Sequence, residues 1–384
     1  MDFTLTKEQE MFRDMAKEFA EREIASSAQE RDREEKFSPD IMKKMADQGF
    51  FAIKVPQDMG GLGLDWTTMG VVVEQFAAVD FSVALTFFIQ TSLEIMPILL
   101  NGTEEQKQKF IPDLMTGKKI GCLAAVEPNA GSDATSVETS AFLDGNEWVL
   151  NGNKSWITNA TISDYSVVLA QTDKSKGTKG IATFIVENGT PGYSSTKIGH
   201  KLGCRSSDTG QLFFRDCRIP QDNLLGKVGS GMSTALQCIE FTRFGISCMA
   251  VGVTQACIDA CTKYALERKQ FGRPIGSNQL IQEQIADMIV NNEASRWLSY
   301  HVAYMKDKGI KSTRETVIAK YHNMDVAMKA TRTAIEIYGA YSLTDDFPIE
   351  RMYRDMTGPL IFGGTANVQR LMIGRFALGI DAFR

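Results

Sequence analysis

The sequence has 384 residues, 43% of them hydrophobic and 23% charged, with 42 basic and 47 acidic side chains and a formal net charge of -5. These values are those of a globular protein and exclude disordered, collagen-like and coiled-coil classes. The length predicts two or three domains. The interspersed charge, without a polybasic block, argues against nucleic-acid or membrane-surface binding and favours an enzyme that acts on a small molecule.

Helical signals dominate residues 1–120. Thr6 and Gln9 have the spacing of a capping box, and Thr103 with Gln106 repeats it. Ser38, followed by proline, predicts another helix start. We therefore expect an N-terminal α-helical domain over residues 1–120.

The most apolar stretch of this domain, residues 81–100, approaches the length of a membrane span. It is interrupted by Gln90, Glu94, Pro97 and two serines, so a buried helix is expected instead. The first residues lack a basic segment followed by an apolar run, so no secretory signal is expected.

From Gly121 the hydrophobic period changes to that of strands. Short apolar runs alternate with turn dipeptides, among them Asp144-Gly145 and Asn151-Gly152, which predicts a middle antiparallel β domain over residues 121–230. The helical period then returns over residues 235–268, 278–308, 313–341 and 366–379. It predicts a C-terminal α-helical domain over residues 231–384 and an α+β fold class.

The cysteine and histidine content bears on compartment and metal binding. The seven cysteines include no CxxC pair, which is typical of a reducing compartment, and we expect a cytoplasmic protein. The three histidines, His200, His301 and His322, are far apart. A zinc site or a histidine-driven triad is therefore not expected.

Four segments have compositions that are unusual for plain structure: residues 127–133, 153–159, 268–274 and 362–370. In chain order, they could hold a phosphate on backbone amides, pack an indole on a flat ring, bind pyrophosphate through an arginine, and bind an anion at a helix N-terminus. Each also has a structural interpretation: a β-turn, a buried tryptophan, a solvated basic turn and a capped helix.

Together and in this order, the segments resemble the acyl-CoA dehydrogenase family over essentially the whole chain. The resemblance rests on the Glu-Pro-x-Ala-Gly-Ser-Asp loop, the Trp-Ile-Thr strand, the Glu-Arg-Lys-Gln-Phe-Gly turn, a Tyr-Arg-Asp triplet and the Gly-Gly-Thr helix start. It implies the family fold, with a C-terminal four-helix bundle. It also implies non-covalent FAD, an acyl-CoA thioester substrate, a homotetramer and electron transfer to an electron-transferring flavoprotein.

The resemblance also assigns positions to ligands. Those that would contact the FAD ring or pyrophosphate in the same subunit are Leu123, Ala125, Val126, Ser132, Trp156 and Thr158. Those that would surround the dinucleotide, some of them in a neighbouring subunit, are Arg268, Gln270, Phe271, Gln279, Gly339, Thr365 and Asn367. Those assigned to the acyl-CoA are Ser132, Leu93, Glu240, Arg243 and Gly363.

The family's catalytic glutamate is absent from both of its usual positions. Most members carry it just before the Gly-Thr of the last segment, where this chain has Gly363. A minority carry it before an arginine one helix earlier, where this chain has Thr242, and Glu240 should point to another face of that helix. Because loss of a general base costs roughly 10²- to 10⁴-fold in rate, the catalytic residue is unknown at this stage.

Three functions stay open. The favoured one is a flavin dehydrogenase for a cyclic or conjugated acyl-CoA, as in degradation of aromatic or alicyclic acids. Enzymes resembling the family that oxidise cyclohex-1-ene-1-carbonyl-CoA use an aspartate in the acyl pocket. The corresponding helix here offers Gln90, Thr91 and Glu94 but no aspartate closer than Asp80.

The second function is a non-oxidising, desulfinase-like reaction on acyl-CoA. Desulfinases of this fold carry an arginine in the same helix, and residues 65–105 contain none. The third is a catalytically silent FAD-binding subunit, against which the intact flavin motifs argue.

Overall fold

Helices, a sheet and helices follow one another along the chain in the computed structural model, which describes residues 4–382. The first helices are α1 (Lys7–Phe19), α2 (Ala28–Arg33), α3 (Pro39–Asp47), α4 (Trp66–Val79), α5 (Phe81–Ile89), α6 (Met96–Asn101) and α7 (Glu104–Met115). The strands of the sheet are β1 (Gly121–Ala124), β2 (Ser140–Asp144), β3 (Glu147–Thr158), β4 (Tyr165–Gln171), β5 (Ile181–Glu187), β6 (Tyr193–Lys197), β7 (Thr209–Pro220) and β8 (Leu224–Leu225).

The C-terminal part is built on long helices. They are α8 (Gly231–Glu267), α9 (Gln279–Asp307), α10 (Thr313–Tyr338), α11 (Ile349–Thr357) and α12 (Ala366–Leu378). A small hairpin of β9 (Lys269–Gln270) and β10 (Arg273–Pro274) joins α8 to α9. This order of helical, sheet and helical parts confirms the predicted architecture.

Local sequence signals start the N-terminal helices. The Thr6 hydroxyl accepts a hydrogen bond from the Gln9 amide at 3.2 Å, and the Gln9 side chain accepts one from the Thr6 amide at 2.9 Å. Thr103 and Gln106 make the same pair of bonds, so both predicted capping boxes are confirmed. Ser38 precedes α3 as predicted, but its side chain makes no capping hydrogen bond.

The sheet is mixed rather than purely antiparallel, because β1 and β2 both pair in parallel with β4. The Asp144-Gly145 turn joins β2 to β3 as predicted. The predicted turn at Asn151-Gly152 is wrong, since β3 continues through it with a bulge. A Cβ atom at Gly152 would lie 2.5 Å from the Thr139 Oγ1, so this glycine allows a close backbone approach and does not reverse the chain.

Two apolar stretches are long enough to cross a bilayer but serve as core helices here. They are Phe81–Asn101, in which 89% of the apolar window is buried, and Gly231–Glu267, in which 78% is buried. The prediction of a buried helix over residues 81–100 is thus confirmed. A π-helical turn, Gln90–Ile95, interrupts the first stretch between α5 and α6.

Glycines bring α8 close to the N-terminal helices. A Cβ atom at Gly252 would lie 2.1 Å from the carbonyl oxygen of Glu74 in α4, and one at Gly245 would lie 2.3 Å from the Phe88 ring. The buried Glu74 carboxylate accepts hydrogen bonds from Arg296 in α9. These contacts fix the position of α8 against the N-terminal helices.

The seven cysteines are all free and buried. Burial raises the pKa of the Cys122 thiol to about 12 and that of Cys217 to about 11. The thiols are therefore protonated packing groups, in agreement with the absence of disulfide patterns in the sequence.

We expect Gly252→Ala to lower the free energy of unfolding by about 1–3 kcal/mol or more, because α8 must move away from the α4 backbone. Gly374→Ala in α12 is the matched control, since its added Cβ atom meets no atom within 4 Å. That control should change stability by at most about 1 kcal/mol. Urea unfolding of the two variants measures the difference, and equal values would contradict the packing described here.

Candidate functional site

The first two unusual segments lie side by side at the edge of the sheet. The Ser155 amide donates a hydrogen bond to the Val126 carbonyl at 3.0 Å. Below them, the Lys154 Nζ donates to the Glu127 Oε1 at 2.7 Å, and both side chains are fully buried. Glu127 also accepts a hydrogen bond from the Thr139 amide at 3.0 Å. This pair anchors the small-residue loop that follows Glu127 to strand β3.

Burial and the opposite charge of the partner act on both pKa values of this pair. Burial lowers the pKa of Lys154 to about 8, although Glu127 acts in the opposite direction. Burial alone would raise the pKa of Glu127, but the Lys154 charge and the amide hydrogen bonds lower it overall. Replacing one partner alone would leave a buried, unpaired charge, which is strongly destabilising.

Trp156 is a large and exposed side chain at this edge of the sheet. Its indole is 63% exposed, and its backbone has φ 60, in a bulge between Lys154 and Ile157. Val126 is also exposed, and Thr158 ends the same strand. An exposed indole on a left-handed backbone indicates a ligand surface. These side chains fit a flavin, with apolar groups for the ring face and a hydroxyl for its edge.

A second group lies where α8 ends and α10 turns. The Arg268 guanidinium stacks on the Tyr341 ring at 5.4 Å, and Tyr341 belongs to the turn that begins at Gly339. Gln270 and the fully exposed Phe271 lie on the β9–β10 hairpin, and Gln279 begins α9. The exposed position of this group suits contact with another molecule, and its role at a neighbouring subunit's cofactor stays a prediction.

The Gly-Gly-Thr segment forms a tight loop before α12. Gly363 and Gly364 have φ values of 65 and 90, which favour glycine. The Thr365 hydroxyl accepts a hydrogen bond from the Val368 amide at 3.2 Å, which confirms the predicted N-cap. Asn367 lies in the first turn of the helix that follows, so the loop positions the start of α12.

Two buried cations hold three successive carbonyl groups of this loop. The Lys320 Nζ donates to the carbonyl oxygens of residues 362 and 364, both at 2.8 Å. The Arg243 Nε donates to the carbonyl oxygen of Gly363 at 3.2 Å. Burial, and then the nearby Arg243 charge, lower the pKa of Lys320 to about 7.

The side-chain position at Gly363 is narrow. A Cβ atom built there would lie 2.8 Å from the Ile246 Cδ1, 3.4 Å from the Thr242 Cγ2 and 3.9 Å from the Lys320 Cε. The Thr242 hydroxyl donates to the Cys238 carbonyl of its own helix at 2.9 Å. Neither Gly363 nor Thr242, the two positions to which the family resemblance assigns a base, carries a carboxylate.

Glu240 is engaged within the chain. Its carboxylate accepts hydrogen bonds from Lys306 at 2.9 Å and from Ser312 and Thr313 at 3.1 Å. Burial would raise the pKa of Glu240, but these partners lower it overall. Its carboxylate thus connects α8 to α9 and α10, and its contact with acyl-CoA stays a prediction.

The polar residues expected in the acyl pocket also have partners. The Gln90 side chain donates to the carbonyls of Leu114 and Lys119 at 3.0 and 2.9 Å and accepts from the Gly121 amide at 2.9 Å. The Thr91 hydroxyl donates to carbonyls of its own helix. Leu93 is buried on the same π-helical turn.

Sequence reasoning missed the buried Lys320, and it named Glu94 only as one of the polar residues of its helix. Lys320 has no local signal, because its partners lie more than 40 residues further along the chain. Glu94 had one, as a carboxylate within an apolar run, but its lack of a partner is visible only in three dimensions. In the part of the chain that the structure describes, no group of three His, Cys, Asp or Glu side chains could hold a metal ion.

Comparison with known proteins gives three matching family models. They are the acyl-CoA dehydrogenase N-terminal domain over residues 6–118, the middle domain over 122–217 and the C-terminal domain over 229–378. The chain is 41% identical to the short-chain specific acyl-CoA dehydrogenase of Clostridium acetobutylicum, over 97% of this chain and 98% of that protein. It is 40% identical to the acryloyl-CoA reductase (NADH) of Anaerotignum propionicum, over 98% and 95% of the two chains.

The fold has a close match among solved structures. A chain in a structure of the electron transferring flavoprotein of Acidaminococcus fermentans, described as bearing on flavin-based electron bifurcation, superposes with a TM-score of 0.97. That match has 40% identity and covers 98% of this chain and 100% of the other.

We expect the Lys320 amine to make stability depend on pH. Its pKa is about 7 in the folded protein and 10.5 in a free side chain, so the unfolded state binds more protons between these values and stability rises with pH there. Lys320→Met should flatten this rise in thermal unfolding at pH 7–10. Lys329→Met, an exposed position on the same helix, should not, and equal pH profiles for wild type and Lys320→Met would contradict a buried amine of low pKa.

Proposed function

The chain belongs to the acyl-CoA dehydrogenase family, and we propose that it is an FAD-dependent oxidoreductase of a cyclic or conjugated acyl-CoA thioester. The bound FAD supplies the hydride chemistry of this family. The observation that carries the proposal is Gly363, which leaves the usual proton-accepting position without a side chain, while Thr242 at the alternative position is bonded to its own helix.

The chain's own residues would bind and orient the reactants. Trp156 and Val126 offer an apolar surface for the ring, and the Glu127–Lys154 pair fixes the adjoining loop. Lys320 and Arg243 fix the Gly363 loop at the other side of the cleft. Leu93 and the apolar helix α5 would exclude water from the acyl group, which strengthens electrostatic interactions in the site.

The proposal includes both reaction directions. The relatives named above include a dehydrogenase and a reductase of acyl-CoA thioesters, and the same groups serve a proton transfer in either direction. We propose an electron-transferring flavoprotein as the redox partner, supported by the match to a chain solved in such a structure. We further propose a homotetramer in which Arg268, Gln270 and Phe271 reach a neighbouring subunit, and a cytoplasmic location, which suits seven free thiols.

An anaerobic panel of thioesters tests this function by the loss of visible flavin absorbance. We expect a cyclic or conjugated thioester to reduce the flavin roughly 10²- to 10⁴-fold faster than butyryl-CoA, since the straight chain lacks its general base. Fastest reduction by butyryl-CoA would contradict the proposal. Release of sulfinate without flavin reduction would instead indicate the desulfinase-like reaction. Lack of any thioester reaction by the FAD-bound protein would indicate a silent subunit.

Restoring a glutamate at residue 363 tests the vacant position. Gly363→Glu alone should gain little activity, because the backbone is left-handed and the Ile246 side chain lies 2.8 Å from the new Cβ atom. Gly363→Glu with Ile246→Ala should gain butyryl-CoA dehydrogenase activity relative to Ile246→Ala alone. A double variant that binds FAD normally and shows no gain would mean that the thioester is not held in the family's orientation.

A further inference from the structure

Glu94 is an exception among the buried acidic residues. Its side chain is 0% exposed, and it is the one acidic residue within 4–382 whose buried carboxylate oxygens have no hydrogen bond of normal geometry. The other deeply buried acids have partners: Asp80 pairs with Arg31, and Glu127 with Lys154. Native proteins seldom leave such a group unsatisfied without a functional reason.

The backbone around Glu94 is also unusual. The residue lies in the π-helical turn Gln90–Ile95, and such turns are frequent at functional sites. Gln90 in the same turn is bonded to the start of β1. The turn is therefore held against the sheet, and Glu94 lies in an ordered segment.

Glu94 packs against the start of β1. A Cβ atom at Gly121 would lie 2.0 Å from the Glu94 Cγ. Side chains alternate along a strand, so Gly121 shares its face of β1 with Leu123, a position that the family resemblance assigns to FAD. Cys122, on the opposite face, packs into the core of the sheet.

Glu94 also lies beside the face of α8 that borders Gly363. Its charge, after burial, raises the pKa of the Cys238 thiol, so the two groups are close. Thr242 is four residues further along α8, on the same face, and lies next to the vacant side-chain position at Gly363. Glu94 thus lies about one helical turn along α8 from the place where the family's glutamate would act.

Burial raises the pKa of Glu94 well above its usual range, and the Val167 amide offsets this only in part. The titratable groups close enough to interact with its charge are the thiols of Cys122 in β1 and Cys238 in α8, and burial raises the pKa of both. Burial thus favours the neutral acid of Glu94, the form that can donate a proton.

We propose that Glu94 is the catalytic acid that exchanges a proton with the acyl group. The inference rests on the proposed thioester oxidoreduction. In the reductive direction, the π bond of the carbon–carbon double bond would break, Glu94 would give its proton to one carbon, and bound FAD would supply the hydride for the other. The Glu94 carboxylate then recovers a proton from water. The oxidative direction reverses each transfer.

The position of Glu94 suits an unusual substrate. A group one helical turn from the usual base would serve a carbon further along the acyl chain or on a ring, not the α carbon of a straight chain. The same residue therefore gives a reason for the vacancy at Gly363 and for the cyclic or conjugated class of thioester.

Glu94→Gln in the FAD-bound enzyme tests the inference. With the thioester that reacts fastest, the rate of single-turnover flavin reduction should fall roughly 10²- to 10⁴-fold, while the thioester Kd changes less than about threefold. Glu94→Asp should have an intermediate rate, which keeps the test decisive if Glu94→Gln loses FAD. Ser92→Ala, a buried neighbour in the same turn, is the control and should keep the wild-type rate.

Infrared spectroscopy provides a readout that needs no turnover. The wild type should show the carbonyl stretch of a protonated, buried carboxyl group, and this band should shift when a thioester binds and be absent from Glu94→Gln. A merely structural Glu94 would give a band that thioester binding leaves unchanged, and that result would overturn the inference.

The two proposals fail in different ways. If no thioester reacts with the flavin, the proposed function fails, and the infrared band still decides whether Glu94 contacts the acyl group. If a thioester reacts and Glu94→Gln keeps a rate within about threefold of wild type, the inference on Glu94 is overturned and the proposed function stands.

Discussion

The site depends on the hydrogen bonds by which two buried basic side chains fix the loop of residues 362–364. Lys320 and Arg243 together bind the carbonyl groups of residues 362–364. This interaction presses the left-handed glycines against α8 so closely that a side chain at residue 363 would meet Ile246. This loop, to which the family resemblance assigns the catalytic base, thus carries no side chain at residue 363, and we propose that the proton chemistry comes from another element.

That other element is the π-helical turn that contains Glu94, whose buried carboxylate differs from most buried charges in having no partner. Most buried charges in the described chain have partners, as in the Glu127–Lys154 pair that anchors the loop beside the proposed flavin surface. Glu94 has none, and it lies where the π-helical turn, strand β1 and helix α8 meet. An unpaired buried acid is costly to stability. Burial favours its protonated form, and we propose that this proton is the one exchanged with the acyl group.

Much of this architecture follows from local sequence signals. The capping boxes at Thr6 and Thr103 predicted helix starts because they depend only on residues three apart, and the motif order predicted the family and its three parts. The turn predicted at Asn151-Gly152 was wrong because glycine is common in β-bulges as well as in turns. The engagement of Gln90 and Glu240, the isolation of Glu94 and the clamp by Lys320 could not be predicted. Each depends on groups that the fold brings together from distant segments.

We propose that the proton is exchanged at Glu94 and not at residue 363. Hydrogen–deuterium exchange into thioesters, measured by mass spectrometry with the oxidised enzyme in D2O, distinguishes the two positions. We expect no enzyme-dependent exchange at the α carbon of butyryl-CoA. We expect exchange at a more distant or ring carbon of a cyclic thioester, and Glu94→Gln should abolish it. Rapid exchange at the α carbon of butyryl-CoA, unaffected by Glu94→Gln, would contradict this proposal.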